Sequence, residues 1–188
     1  MKNIAIFGSS RSGKSTLAKM ISEKYPNYHI IEGDCIRWSF QKTLPNTNIN
    51  SKNGRGMKED FPNFLATLFY TVIENNDTNI NYILDTCDIT PKKAKELFSK
   101  DNTIILFLGT PNHSISEHIK TIRANQTEKS WCYQKSNEYL INHSKKWLDR
   151  SKQYQEECNK LGIWYVDTSF NVNKVLKDTL RKIEKMMN

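Results

Sequence analysis

Residues 3–21 read NIAIFGSSRSGKSTLAKMI, and this stretch decides the fold. Asn3 to Phe7 is a short apolar run that stops at Gly8, the pattern of a buried parallel strand. From Lys14 onward Leu17, Met20 and Ile21 fall on one face of a helix, which Pro26 ends. Between them Gly8, Ser9, Ser10, Arg11, Ser12, Gly13, Lys14 and Ser15 match G-x-x-x-x-G-K-[ST], with Thr16 next. That spacing lets successive backbone N–H groups wrap a chain of phosphates while Lys14 reaches the terminal ones. The Ser15 hydroxyl is then placed to ligate Mg²⁺, and the helix offers its positive N-terminal end. A strand before the motif and a helix after it are the context it requires, so the loop is read as binding nucleotide phosphate.

The same alternation continues along the chain. Tyr28–Ile31, Ile80–Asp85, Thr103–Gly109 and Gly162–Asp167 read as further strands. Between them lie a short helical stretch from Cys35, an apolar-striped helix beginning at Phe61, and a helix capped by Thr90. A long, mostly helical region spans His113 to Lys160, and an amphipathic helix runs from Asn171 to the end. Five strands separated by helices predict a three-layer α/β fold, with a five-stranded parallel sheet and a helical lid. We read residues 1–188 as a single domain, with a mobile, turn-rich acceptor-side segment at about 42–60 and a lid at about 120–150. No repeat, linker or second core is apparent.

Composition narrows the classes. A chain of 188 residues with 37% hydrophobic residues can fill a core. No run approaches the length of a membrane span, and the N-terminal apolar run is too short for a signal peptide. Cys35, Cys87, Cys132 and Cys158 show neither C-x-x-C spacing nor a zinc pattern, which points to a reduced, cytoplasmic protein without structural metal. The net charge of +8 invites a nucleic-acid reading, but the lysines are scattered and form no basic tract. A small-molecule partner fits better, in a monomer or homodimer.

In parallel sheets of this kind, ligands sit at the carboxyl ends of the strands. Asp34 and Asp85 end the second and third strands, where a carboxylate can face Mg²⁺ or accept a proton from an attacking hydroxyl. Helix capping is the plainer role for each, and Asp88 is read as loop or cap. Only six of the 28 basic residues are arginines, so those in ligand-facing segments stand out. Arg11 lies in the phosphate loop, Arg37 shares a helical face with Asp34, Arg55 lies in the mobile segment, and Arg123 and Arg150 bracket the lid. Trp147 and Trp164 are assigned to packing. The histidines show no catalytic or metal pattern.

Taken together, GSSRSGKST, Gly33-Asp34-Cys35-Ile36-Arg37, Leu84-Asp85 and Tyr165-Val166-Asp167-Thr168-Ser169 resemble the nucleoside-monophosphate-kinase-like (adenylate-kinase-like) group of P-loop kinases. Within it the chain looks close to small bacterial ATP-binding proteins of unassigned substrate. The resemblance implies ATP and Mg²⁺ as cofactors, with Ser15 and Asp85 at the metal. It places Asp34 near the attacking oxygen, Arg37 on the acceptor's phosphate, Asp85 at the acceptor side, and Arg123 and Arg150 over the transferring group. Thr168 to Phe170 would border the adenine. Two features depart from the group. Asp85 is followed by Thr86 rather than glycine, and DTCDITPKK carries no second arginine for an acceptor phosphate. The expected activity is ATP:Mg²⁺-dependent phosphoryl transfer to a small acceptor, catalysed through Lys14, Asp34, Arg123 and Arg150. A nucleotide-binding switch or regulatory ATPase is the contrasting class, and an antibiotic or nucleic-acid 5′-hydroxyl kinase is a third reading.

Overall fold

A computed structural model describes residues 2–47, 49, 60–76, 79–98, 102–128 and 130–187. Arg55 and most of the 42–60 segment lie outside the described residues. Strand β1 (Asn3–Gly8) leads into α1 (Lys14–Lys24), followed by β2 (Tyr28–Glu32), α2 (Gly33–Thr43), a 3₁₀ turn at Pro45–Thr47 and α3 (Asp60–Glu74). Then come β3 (Asn81–Asp85), α4 (Pro91–Leu97), β4 (Thr103–Gly109), α5 (Ile115–Ala124), α6 (Asn137–Leu161), β5 (Trp164–Asp167) and α7 (Val172–Met187).

The five strands form one sheet in the order β2-β3-β1-β4-β5, every pair parallel. The predicted α/β fold with a five-stranded parallel sheet is therefore the observed one. Alternate residues of the central strands feed opposite faces, because side chains alternate along a strand. Ile4, Ile6, Leu106 and Leu108 pack with α1 and α7 on one face. Ala5, Phe7 and Phe107 pack with α3, α4 and α6 on the other. With β1 central and β4 and β3 at its sides, the turn after β1 opens between the ends of β3 and β4, where the strand order reverses.

Two boundaries differ notably from expectation. Helix α2 starts at Gly33 rather than Cys35 and continues through Thr43, into the segment read as loop. Its partly buried Ile36 and Phe40 face the core, and Phe40 meets the rings of Phe61 and Phe64 edge-on. Those contacts extend the helix beyond what its polar sequence suggests. Strand β5 begins at Trp164, because Gly162 is used to end α6 in a left-handed conformation at φ 67°. The segment read as a lid has a small core of its own, Ile122, Cys132 and Leu140, with Ile119 and Trp131 against it. The Thr90 cap appears as expected, its side chain accepting from the Lys93 N–H.

Candidate active site

The turn after β1 is held by parts of the chain far apart in sequence. Gly8 adopts φ 130°, and a Cβ there would lie 1.9 Å from the Leu108 carbonyl oxygen, so only glycine fits. Gly13 at φ 91° stands as the N-cap of α1 and turns the loop into the helix. Inside the loop, Ser12 Oγ and Lys14 Nζ both donate to the Ser9 carbonyl, at 2.9 and 2.8 Å. Ser151 on α6 donates to Ser9 Oγ at 2.8 Å and accepts from the Thr110 N–H at the end of β4. Thr168, just after β5, donates to the Ser12 and Gly109 carbonyls. Loop, β4 end, β5 end and α6 thus form one hydrogen-bonded unit, with Ser9, Ser12 and Thr168 buried.

Arg11 points the other way, toward the lid. It takes φ 62°, donates to the Asn125 carbonyl at 3.0 Å and reaches Cys132 Sγ at 3.3 Å. His118 on α5 is fully buried behind the same turn, its ring 6.4 Å from that of His113. Burial pushes the His118 pKa down to about 4, with His113 and Arg11 adding and the Ser10 backbone opposing. It is therefore neutral at pH 7.

On the other side of the loop, Ser15 Oγ donates to Asp85 Oδ2 at 2.5 Å. A hydroxyl and a carboxylate oxygen side by side at a phosphate loop are the hard donor set that Mg²⁺ prefers, so the residues present fit that ion. Burial raises the Asp85 pKa, with Asp34 and Glu32 adding and Lys14 and Ser15 opposing. A cavity of about 170 Å³ opens here, lined by Lys14, Ser15, Glu32, Asp34, Asp85, Thr86 and Cys87. Gly33 lets α2 start against this wall, since a Cβ would lie 2.5 Å from Thr86 Cβ.

The structure brings Lys14, Ser15, Asp34 and Asp85 together around that cavity. Arg37 is adjacent but sunk in the wall. Its Nη2 donates to Asp34 Oδ1 at 2.5 Å and its Nε to Asp88 Oδ2 at 3.2 Å. Burial alone would lower the Arg37 pKa, but Asp88 and Asp34 more than offset it. Among the described residues, the one group of metal-type donors is Asp34, Cys87 and Asp88. The Arg37 guanidinium, bonded to both carboxylates, already supplies its positive charge. Asp88 lies in the loop after β3, as expected, and is also a fully buried countercharge to Arg37 that the sequence did not signal.

Arg123 and Arg150 are engaged within the segment read as a lid. Arg123 Nη2 donates to the Lys135 carbonyl and to Asn137 Oδ1, clipping the two ends of the 125–136 segment. Arg150 lies over Trp147, 4.9 Å from the ring centroid. Trp131 packs on His143 at 4.0 Å, and Trp147 is buried, as expected. Sequence reasoning missed Ser151 and His118 as well. Ser151 falls on the buried stripe Leu140, Ser144, Trp147, Leu148, Ser151, Tyr154 and Cys158. A hydroxyl recurring on an apolar stripe is the signal that marks it.

With this geometry in view, comparison with known proteins is informative. No protein-family model matches the chain. It is 26% identical over 192 residues to an adenylate kinase of Azobacteroides pseudotrichonymphae, covering 99% of both chains. The fold is similar to shikimate kinase from Bacteroides thetaiotaomicron, with a TM-score of 0.62, 13% identity and coverage of 99% and 98% of the two chains. It is also similar to a gluconokinase from Sinorhizobium meliloti, with a TM-score of 0.58, 14% identity and coverage of 99% and 93%. Phosphate loop, sheet order and relatives agree, and the likeness to P-loop kinases of the nucleoside-monophosphate-kinase-like group expected from the sequence is borne out.

Proposed function

We propose that the protein is an ATP:Mg²⁺-dependent phosphotransferase that moves the γ-phosphoryl group to a small acceptor. The observation that carries this reading is the cavity joining Lys14 and Ser15 of the phosphate loop to Asp34 and Asp85 at two strand ends. Phosphoryl transfer needs alignment and charge neutralisation more than covalent chemistry, and this arrangement supports both. The backbone of Gly8 to Thr16 and the Lys14 ammonium hold the β- and γ-phosphates. Ser15 and Asp85 hold Mg²⁺, which when bound neutralises charge on the phosphate oxygens. Asp34 faces the acceptor hydroxyl. Thr168 borders the nucleotide side of the loop, and Arg123 and Arg150 belong to a lid that shields the transferring group from water.

No helix among the described residues is long and apolar enough to cross a membrane. We place the protein in the cytoplasm, and none of its four cysteines forms a disulfide among the described residues. We read residues 1–188 as one domain, with an acceptor-side segment at about 42–60 and a lid at about 120–150. A switch or regulatory ATPase is the less favoured reading, because the cavity beside the loop offers an acceptor a place.

The test is ADP release from ATP and Mg²⁺ with a panel of nucleosides, nucleoside monophosphates, sugars, sugar acids and aminoglycosides. Wild type and Lys14→Ala are assayed in parallel. One acceptor class should stimulate release in the wild type alone. Slow hydrolysis indifferent to every acceptor would leave the switch.

A further inference from the structure

The phosphate loop takes a positive φ at three places, Gly8 at 130°, Arg11 at 62° and Gly13 at 91°. Turns of this kind aim successive backbone N–H groups into one hollow, the shape that receives phosphate oxygens. The two glycines adopt it freely, but Arg11 carries a Cβ, and a positive φ costs such a residue energy. A strained conformation of this kind persists where surrounding contacts hold it. For Arg11 those contacts are 114 and 121 residues further along the chain. Its Nη1 donates to the Asn125 carbonyl at 3.0 Å, and its Nη2 donates to Cys132 Sγ at 3.3 Å.

Both anchors belong to the segment read as a lid, and that segment is a self-contained piece. Asn125 caps the end of α5, and Cys132 is fully buried in the small core with Ile122 and Leu140. This core is separate from the two that cover the faces of the sheet. Arg123 clips the ends of the segment together through the Lys135 carbonyl and Asn137 Oδ1. Inside it, the amides of Ser130, Tyr133 and Lys135 donate to the carbonyls of Thr127, Ser130 and Cys132. One guanidinium therefore holds two points of a tied body against the loop.

We propose that Arg11 is a positioning residue that couples this segment to the phosphate loop, so that docking of the segment and binding of nucleotide phosphate favour each other. The inference rests on the phosphotransferase reading above and adds to its site a residue that links nucleotide binding to lid closure. The sign of the coupling follows from the strain. With the segment released, Arg11 has to keep its positive φ without its two bonds, and the loop relaxes away from the hollow. Phosphate in the hollow requires that φ again, which returns the guanidinium to Asn125 and Cys132.

Arg11→Ala and Arg11→Gly separate strain from contact, because both lose the latch and only glycine takes a positive φ freely. Both variants are first shown to fold by circular dichroism. Hydrogen exchange at the Ser130, Tyr133 and Lys135 amides then reads the segment, and calorimetry with Mg²⁺ and the β,γ-imido analogue of ATP reads the loop. Without nucleotide, these amides should exchange about 10-fold faster in both variants than in wild type. The analogue should bind about 10-fold more weakly to Arg11→Ala, yet within about threefold of wild type to Arg11→Gly. It should also slow the three amides in wild type more than in either variant. Unchanged exchange in the variants, or equal slowing by the analogue in all three proteins, overturns the coupling and leaves the phosphotransferase reading intact. An equal loss of affinity in both variants makes Arg11 a direct grip on phosphate and overturns its assignment. Should Arg11→Ala fail to fold, exchange in Arg11→Gly decides the latch. A wild-type protein that does not bind the analogue removes the phosphotransferase reading, and the inference with it.

Discussion

The two sides of the cavity are built on different principles. On the proposed donor side, one continuous stretch, Gly8 to Thr16, would supply the phosphate-facing groups, and distant residues such as Ser151 and Thr168 brace it. On the proposed acceptor side, Asp34 and Asp85 come from two different strand ends, and position depends on tertiary contacts. Asp34 accepts from Arg37, and Arg37 also donates to Asp88, 51 residues further along the chain. Function encoded in a contiguous loop survives changes elsewhere. Function spread over strand ends can be retuned by one buried partner.

Four changes probe that contrast. Lys14→Ala removes the ammonium inside the loop and should cut transfer by ~10³-fold or more. Its urea midpoint should stay close to wild type, because the residue's main internal bond is a single contact to the Ser9 carbonyl. Full activity in this variant would detach the loop from the chemistry. On the acceptor side, Asp34→Asn should lower kcat about 100-fold with ATP affinity unchanged. Equal losses in both would move Asp34 to the donor side and erase the contrast.

The wall behind the loop carries a pH dependence of its own. His118 titrates near 6.5 when unfolded and is pushed down to about 4 in the fold. The unfolded chain therefore binds the proton first as pH falls, so stability is retained above about 6.5 and lost toward pH 4. The loss should approach ~3 kcal/mol in urea titrations, and His118→Leu should flatten it. Identical pH profiles for the two proteins would show that this histidine is not held neutral. The smallest effect belongs to the brace. Ser151→Ala removes the bond to Ser9 and should cost about 1 kcal/mol, with a severalfold weaker grip on ATP. No change in ATP affinity would mean that the loop keeps its shape unaided.

This contrast also explains how much could be read from the sequence. The sheet and its helices follow from local pattern: continuous apolar runs such as Thr103–Gly109, striped helices, and a glycine at Gly8 that only one backbone geometry explains. The phosphate loop is legible for the same reason, since its chemistry lies within nine consecutive residues. Asp34 and Asp85 could be found because strand ends are identifiable places. What escaped notice is held by long-range contacts. Asp88 differs from a capping aspartate through its ion pair with Arg37, and Ser151 from a surface serine through its bonds to Ser9 and Thr110. His118 owes its buried, neutral state to the turn packed against it. Local helix ends were misjudged in the same way, as with α2, which aromatic packing on α3 carries through Thr43.

The most direct measurement follows the γ-phosphate itself. Wild-type protein is incubated with γ-labelled ATP, Mg²⁺ and the acceptor that stimulates ADP release, and the products are separated. A phosphotransferase working through this cavity should leave the label on the acceptor, with almost none in inorganic phosphate and none transferred by Lys14→Ala. Label found only in inorganic phosphate would contradict it and make the protein a nucleotide hydrolase.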